Sequence, residues 1–114
     1  MQDLPINPLT PAFSVAPQLE PEAMAAVAAA GYKSVVNNRP DFEGGPDQPT
    51  SSAIEAAAHA AGLEYRYLPV NGAYQSPEEI AAMRALIDSL PQPVLAFCRS
   101  GARSTKLFAA ACAL

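Results

Sequence analysis

The apolar positions fall into short runs separated by proline, glycine and asparagine. Val94 to Phe97 is a continuous apolar run, the pattern of a parallel strand buried on both faces. Tyr32 to Asn37 and Glu64 to Val70 are rich in β-branched or aromatic residues and predict two more strands, and Phe13 to Val15 predicts a short edge strand. Between them lie segments of helical period. Pro21 suits a first helical turn, because it has no N–H to leave unpaired there; the helix passes Met24 and Val27, and Gly31 stops it. Ser52 with Glu55 reads as a capping box opening an alanine-rich helix that Gly62 closes. Ser76, Pro77 and Glu79 form the clearest helix start, followed by Ile80, Met83, Leu86, Ile87 and Leu90 at a spacing of three to four. A last helix follows residues 98–103. Residues 39–50 (RPDFEGGPDQPT) are turn formers with little apolar content, hence a loop.

Strands alternating with helices predict an α/β domain: a three-layer arrangement around a parallel sheet spanning residues 13–114, preceded by an extended arm at 1–12 that carries Pro5, Pro8 and Pro11. In an open parallel sheet the loops after the strand C-termini share one edge, and ligands bind there. Loops 38–50, 71–76 and 98–103 are expected on that edge.

Composition narrows the function. The chain has 114 residues, half of them apolar, enough for one core, with 24 alanines to favour helices and 12 prolines to interrupt them. The net charge of -4 argues against nucleic acid, whose phosphates need a basic surface. No apolar run approaches the ~18 residues of a spanning helix, and the alanine-rich helices lack the basic face of a membrane binder. The N-terminus lacks the basic segment and unbroken apolar stretch of a secretory signal, so a cytoplasmic chain with two reduced thiols is expected. Cys98, Cys112 and His59 have no metal-binding spacing, and neither metal nor cofactor is expected. His59 reads as a surface or packed residue, Cys112 as a core thiol, and Tyr65 or Tyr67 as core, with Tyr74 placed to wall the site.

One local asymmetry stands out. Residues 89–114 contain no Asp or Glu but carry Arg99, Arg103 and Lys106 around Cys98. The segment Val94 to Ser104 (VLAFCRSGARS) reads as strand, polar loop and helix start. Backbone N–H groups in such a loop can form an anion nest, and the positive end of the helix adds to it. Both favour thiolate over thiol, which makes Cys98 a candidate nucleophile. Arg103 offers a planar fork to an oxyanion, and Gly101 a backbone conformation that a side chain would resist. Arg99, Ser100, Gly101, Ala102, Ser104, Arg39 and Asp41 are candidate substrate contacts, with Arg39 and Asp41 alternatively clasping each other. Ser104 either bonds the thiolate or caps the helix, and Glu43 reads as loop structure.

The loop CRSGAR resembles the Cys-x4-Arg active loop of rhodaneses, the persulfide-forming sulfurtransferases. With SVVNNRPDFE (34–43), Gln48-Pro49, YLPVNG (67–72) and LAFCRSGARS (95–104), the chain more broadly resembles the phosphatase-like domain of beta-lactamase hydrolase-like proteins. That resemblance implies a cysteine-phosphatase (dual-specificity-like) fold, sometimes fused to a persulfide dioxygenase. A cysteine phosphatase needs five residues between Cys and Arg, but the arginine here stands at 103 and position 104 is Ser104. The place of the phosphatase acid, after YLPV, holds Asn71, with Asp41 or Glu43 as possible substitutes. The expected activity is therefore sulfur transfer, from thiosulfate or a small persulfide through a Cys98 persulfide to a thiol or cyanide. A cysteine phosphatase with a shortened loop is the alternative enzyme, and a non-catalytic persulfide carrier or redox partner of a persulfide dioxygenase the alternative without turnover.

Overall fold

A computed structural model describes residues 4–114. Five strands form one sheet: β1 (Asn7–Thr10), β2 (Phe13–Ala16), β3 (Ser34–Asn37), β4 (Glu64–Tyr67) and β5 (Val94–Phe97), in the order β1-β2-β5-β3-β4. All neighbours are parallel except the hairpin β1–β2. Most of the region read as an arm is thus not free: residues 7–10 pair with β2, so Phe13–Val15 is an inner strand and not an edge. Alternation is too short there to signal a strand, and Pro8 argues against one. Of the arm, residues 1–3 lie outside the described residues.

Four α-helices follow: α1 (Met24–Ala29), entered through a 3-10 turn at Pro21–Ala23, α2 (Ser51–Ala60), α3 (Pro77–Ser89) and α4 (Ala102–Cys112). The N-cap of α2 is Thr50, whose hydroxyl accepts from the Ala53 N–H at 3.2 Å, two residues before the predicted Ser52. At α3 the Ser76–Glu79 capping box is present in both directions.

Both faces of the sheet are covered because its central strands have no polar face. Val35, Leu95 and Phe97 pack on one side with Met24, Val27, Ile54 and Tyr65. Val36, Val94 and Ala96 pack on the other with Met83, Leu107 and Val70. Tyr65 is core, whereas Tyr67 is 40% exposed. Cys112 is also exposed, unlike Leu107 and Ala111 of the same helix, which corrects its reading as a core thiol. Both cysteines are free.

Register brings the strand ends level. Ala16, Phe97, Asn37 and Tyr67 are successive partners across β2, β5, β3 and β4. The residues that follow are stitched by the Cys98 N–H on Ala16 O (3.3 Å), the Asn38 N–H on Phe97 O (2.9 Å) and the Val70 N–H on Asn38 O (3.1 Å). Cys98, Asn38 and the 68–70 segment therefore start from one line at one edge.

Candidate active site

Cys98 ends the central strand and is 1% exposed. The loop after it curls back because Gly101 holds φ at 94°, in the left-handed region that favours glycine. That turn aims the Gly101 N–H at the Cys98 sulfur, at 3.1 Å. The Ser100 hydroxyl accepts from the Ala102 N–H (3.3 Å) and tightens the loop, while the Gln18 N–H bonds Arg99 O (3.2 Å) and ties it to the end of β2. Burial pushes the Cys98 thiol up, but the amide and hydroxyl of Ser104 and the amides of Gly101 and Ser100 outweigh it and hold the thiol below its ordinary value. This is the anion nest expected at a helix start.

Arg103 leaves the first turn of α4 and reaches the other two loops. Its Nη1 and Nη2 each donate to one oxygen of Glu43 at 3.0 Å, and Nη1 also donates to Val70 O at 3.1 Å. Its Nε is buried without a partner. Arg39 approaches the same carboxylate from β3: its Nε donates to Glu43 at 3.0 Å and its Nη1 to Gln18 at 3.2 Å. Gly44 permits this packing, since a Cβ there would stand 2.6 Å from Arg39 Nη2. The two guanidiniums hold the Glu43 carboxyl below the usual carboxylate range, Arg103 contributing most and burial opposing. Arg39, Glu43, Gly44, Arg99 and Arg103 line an open pocket of about 520 Å³.

The edge thus gathers Cys98, Arg103, Arg99 and Arg39, as the sequence indicates. Ser100, Gly101 and Ala102 also line a hollow of about 350 Å³ on the opposite flank of the loop, against Asn7 and Ala16. Asp41 is turned elsewhere: its carboxylate accepts the Ser51 N–H at the start of α2, at 2.7 Å, and its own N–H goes to the Tyr67 hydroxyl at 2.9 Å. It does not clasp Arg39. Ser104 is fully buried and caps nothing; its hydroxyl donates to Asn38 at 2.9 Å, and it helps lower the Cys98 thiol. Tyr74 is 65% exposed and is not among the residues lining either pocket. Among the described residues, no three His, Cys, Asp or Glu side chains come together to hold a metal ion.

Glu43 is more than loop structure, since it joins the two arginines. Its spacing of four from Arg39, on a loop assigned to the active edge, is the signal in the sequence that points there. The two carboxylates considered as substitute acids sit in different surroundings. Glu43 is ionised between two arginines, and Asp41 is bonded at a helix start.

The model of the family described as "Beta-lactamase hydrolase-like protein, phosphatase-like domain" matches residues 5–114. The chain belongs to that family. A beta-lactamase hydrolase-like protein of Xylella fastidiosa is 42% identical over 79 residues, covering 69% of this chain and 18% of the relative. One from Agrobacterium fabrum is 37% identical over 82 residues, covering 72% and 19%. The chain thus spans under a fifth of the length of these curated relatives. Among solved structures, a proposed phosphatase of Neisseria meningitidis Z2491 superposes with a TM-score of 0.85 at 30% identity, covering 93% of this chain and 75% of that one. P. aeruginosa TpbA in complex with pTyr has a TM-score of 0.68 at 18% identity, covering 93% and 60%, a likeness of fold alone. The family domain has the cysteine-phosphatase-like α/β fold.

Proposed function

We propose that this domain is a sulfurtransferase working through a Cys98 persulfide. The observation that carries the reading is the spacing of Cys98 and Arg103, four intervening residues where a cysteine phosphatase has five. Three of the five N–H groups of Arg103 are engaged, two on Glu43 and one on Val70 O, which leaves the buried Nε–H and the second Nη2–H unpaired. Those two donors form a side-on fork that, with the loop amides, is what this end of the site offers an oxyanion. Such a fork holds two oxygens of a sulfonate or of a phosphoryl group alike, so the choice between them rests on the loop, which is one residue shorter than the phosphatase spacing.

In the first step the Cys98 thiolate attacks the outer sulfur of thiosulfate; the new S–S bond forms as the old one breaks, and sulfite departs with its electron pair. Arg103 and the loop amides stabilise charge on the departing anion. Sulfite leaves as an anion and needs no proton. The terminal sulfur of the persulfide then passes to cyanide or an acceptor thiol, and Cys98 returns as thiolate. Arg99 and Arg39 add positive potential at the entrance. Thiosulfate or a small persulfide as donor, a thiol as acceptor and a persulfide dioxygenase as partner belong to this proposal.

A second reading, a cysteine phosphatase, is favoured by the family description and by the Neisseria relative, and it fits those comparisons better than sulfur transfer does. Parallel assays with thiosulfate plus cyanide and with an aryl phosphate separate the two. Turnover of the first alone supports sulfur transfer; turnover of the aryl phosphate alone overturns it. Either activity is lost in Cys98→Ser.

A further inference from the structure

Asn38 is completely buried, and every polar atom it has is paired. Its N–H donates to Phe97 O, its carbonyl accepts from the Val70 N–H, and its Nδ2 donates to Leu68 O at 3.0 Å. That last bond fixes which way the side-chain amide faces, because a carbonyl can only accept. Oδ1 is thereby turned to Ser104, whose hydroxyl donates to it at 2.9 Å. A serine hydroxyl has one hydrogen. It rests on Asn38, although the Ser104 hydroxyl is also among the groups that hold the Cys98 thiol down.

We propose that Asn38 is a positioning residue for the nucleophile, competing with the Cys98 thiolate for the single Ser104 hydroxyl hydrogen. While Cys98 is a neutral thiol, the hydrogen stays on the amide oxygen. When the thiol proton leaves to solvent, the hydroxyl rotates about its Cβ–Oγ bond; an O–H···O bond breaks and an O–H···S⁻ bond forms. Asn38 thus tempers the nucleophile, which keeps the Gly101 N–H in either state. The inference rests on the functional reading only in taking Cys98 as an ionising thiol. It is tested without substrate, so a failed transfer assay leaves it standing.

The experiment titrates Cys98 by its ultraviolet thiolate absorbance in the wild type, Asn38→Ala, Ser104→Ala and the double variant. The charged groups around the loop, Arg39 and Glu43 after β3 and Arg99 and Arg103 after β5, are the same in all four. Asn38→Ala frees the hydrogen for sulfur and weakens proton binding by up to about ten-fold, while Ser104→Ala strengthens it by a similar factor. In the Ser104→Ala background, Asn38→Ala has no further effect. An equal shift in both backgrounds, or a shift in the other direction, overturns the proposal. A second readout needs no substitution: the side-chain carbonyl carbon of Asn38, followed by NMR in the wild type, titrates together with Cys98. A signal that stays flat through that transition overturns the proposal as well.

Discussion

Removing the Glu43 carboxylate tests whether the arginine receptor is held in advance. Three N–H···O bonds of 3.0 Å converge on this side chain from two guanidiniums. The Arg39 and Arg103 side chains are only 10% and 11% exposed, while that of Glu43 is 30% exposed. Breaking a fully buried ion pair costs about 3–5 kcal/mol. Water reaches this carboxylate and screens it, so the figure is discounted and Glu43→Ala is set at about 2 kcal/mol. For a domain of this size that lowers the melting temperature by about 8 °C. Sulfate, which can pair with both arginines, should restore part of the loss and stabilise the variant more than the wild type. The pH dependence has a definite sign. The folded carboxyl lies below its ordinary value of 4.5, so its contribution is present above that value and fades as pH falls through the lower folded one. The gap between wild type and Glu43→Gln therefore closes in acid. Thermal melts from neutral pH downward, with and without sulfate, measure all of this. A Glu43→Ala melting temperature within about 1 °C of wild type at neutral pH would falsify the clasp.

Other consequences follow from the same geometry. Gly101→Ala forces a side chain into a backbone with φ of 94° and should cost about 1–2 kcal/mol in denaturant unfolding, with slower alkylation of Cys98 as the N–H turns off the sulfur. Unchanged stability and alkylation would show that the turn is not needed. Iodoacetamide should modify Cys98 with a rate inflection below the ordinary thiol value, because the Ser104, Gly101 and Ser100 donors outweigh burial; an inflection at or above it contradicts the nest. Inserting one alanine between Ala102 and Arg103 gives the five-residue phosphatase spacing. The ratio of aryl phosphate to thiosulfate turnover should rise at least about ten-fold, and an unmoved ratio would show that loop length does not select the anion.

The parts of this molecule that are legible in the sequence have strong local signals. VLAF between Pro93 and Cys98 reads as a doubly buried strand followed by a polar loop, and the Ser76–Glu79 box fixes the start of α3. The active edge follows from strand order and parallel connectivity, which bring Arg39 and Arg103 together from distant parts of the chain. What local signals miss depends on long-range partners. β1 exists because β2 offers it a hairpin partner, not because NPLT favours a strand. Asp41 faces α2 and Glu43 faces the arginines, although both are acids on one loop; the turn between them, where Phe42 has a φ of 64°, sends them opposite ways. Gln18 supports Arg39 from another strand end, a contact with no trace in local spacing. The exposure of Cys112 turns on the helix phase of a segment whose neighbours are nearly all alanine, where apolar periodicity is weak.

The central claim, a sulfur carried on Cys98, is tested most directly by mass spectrometry. Intact wild-type protein and Cys98→Ser are incubated with thiosulfate, alkylated and digested. The account predicts one added sulfur atom in the wild type, located on the Cys98 peptide, and none in the variant. A wild-type mass without added sulfur, with a phosphocysteine trapped at Cys98 from an aryl phosphate instead, would contradict it.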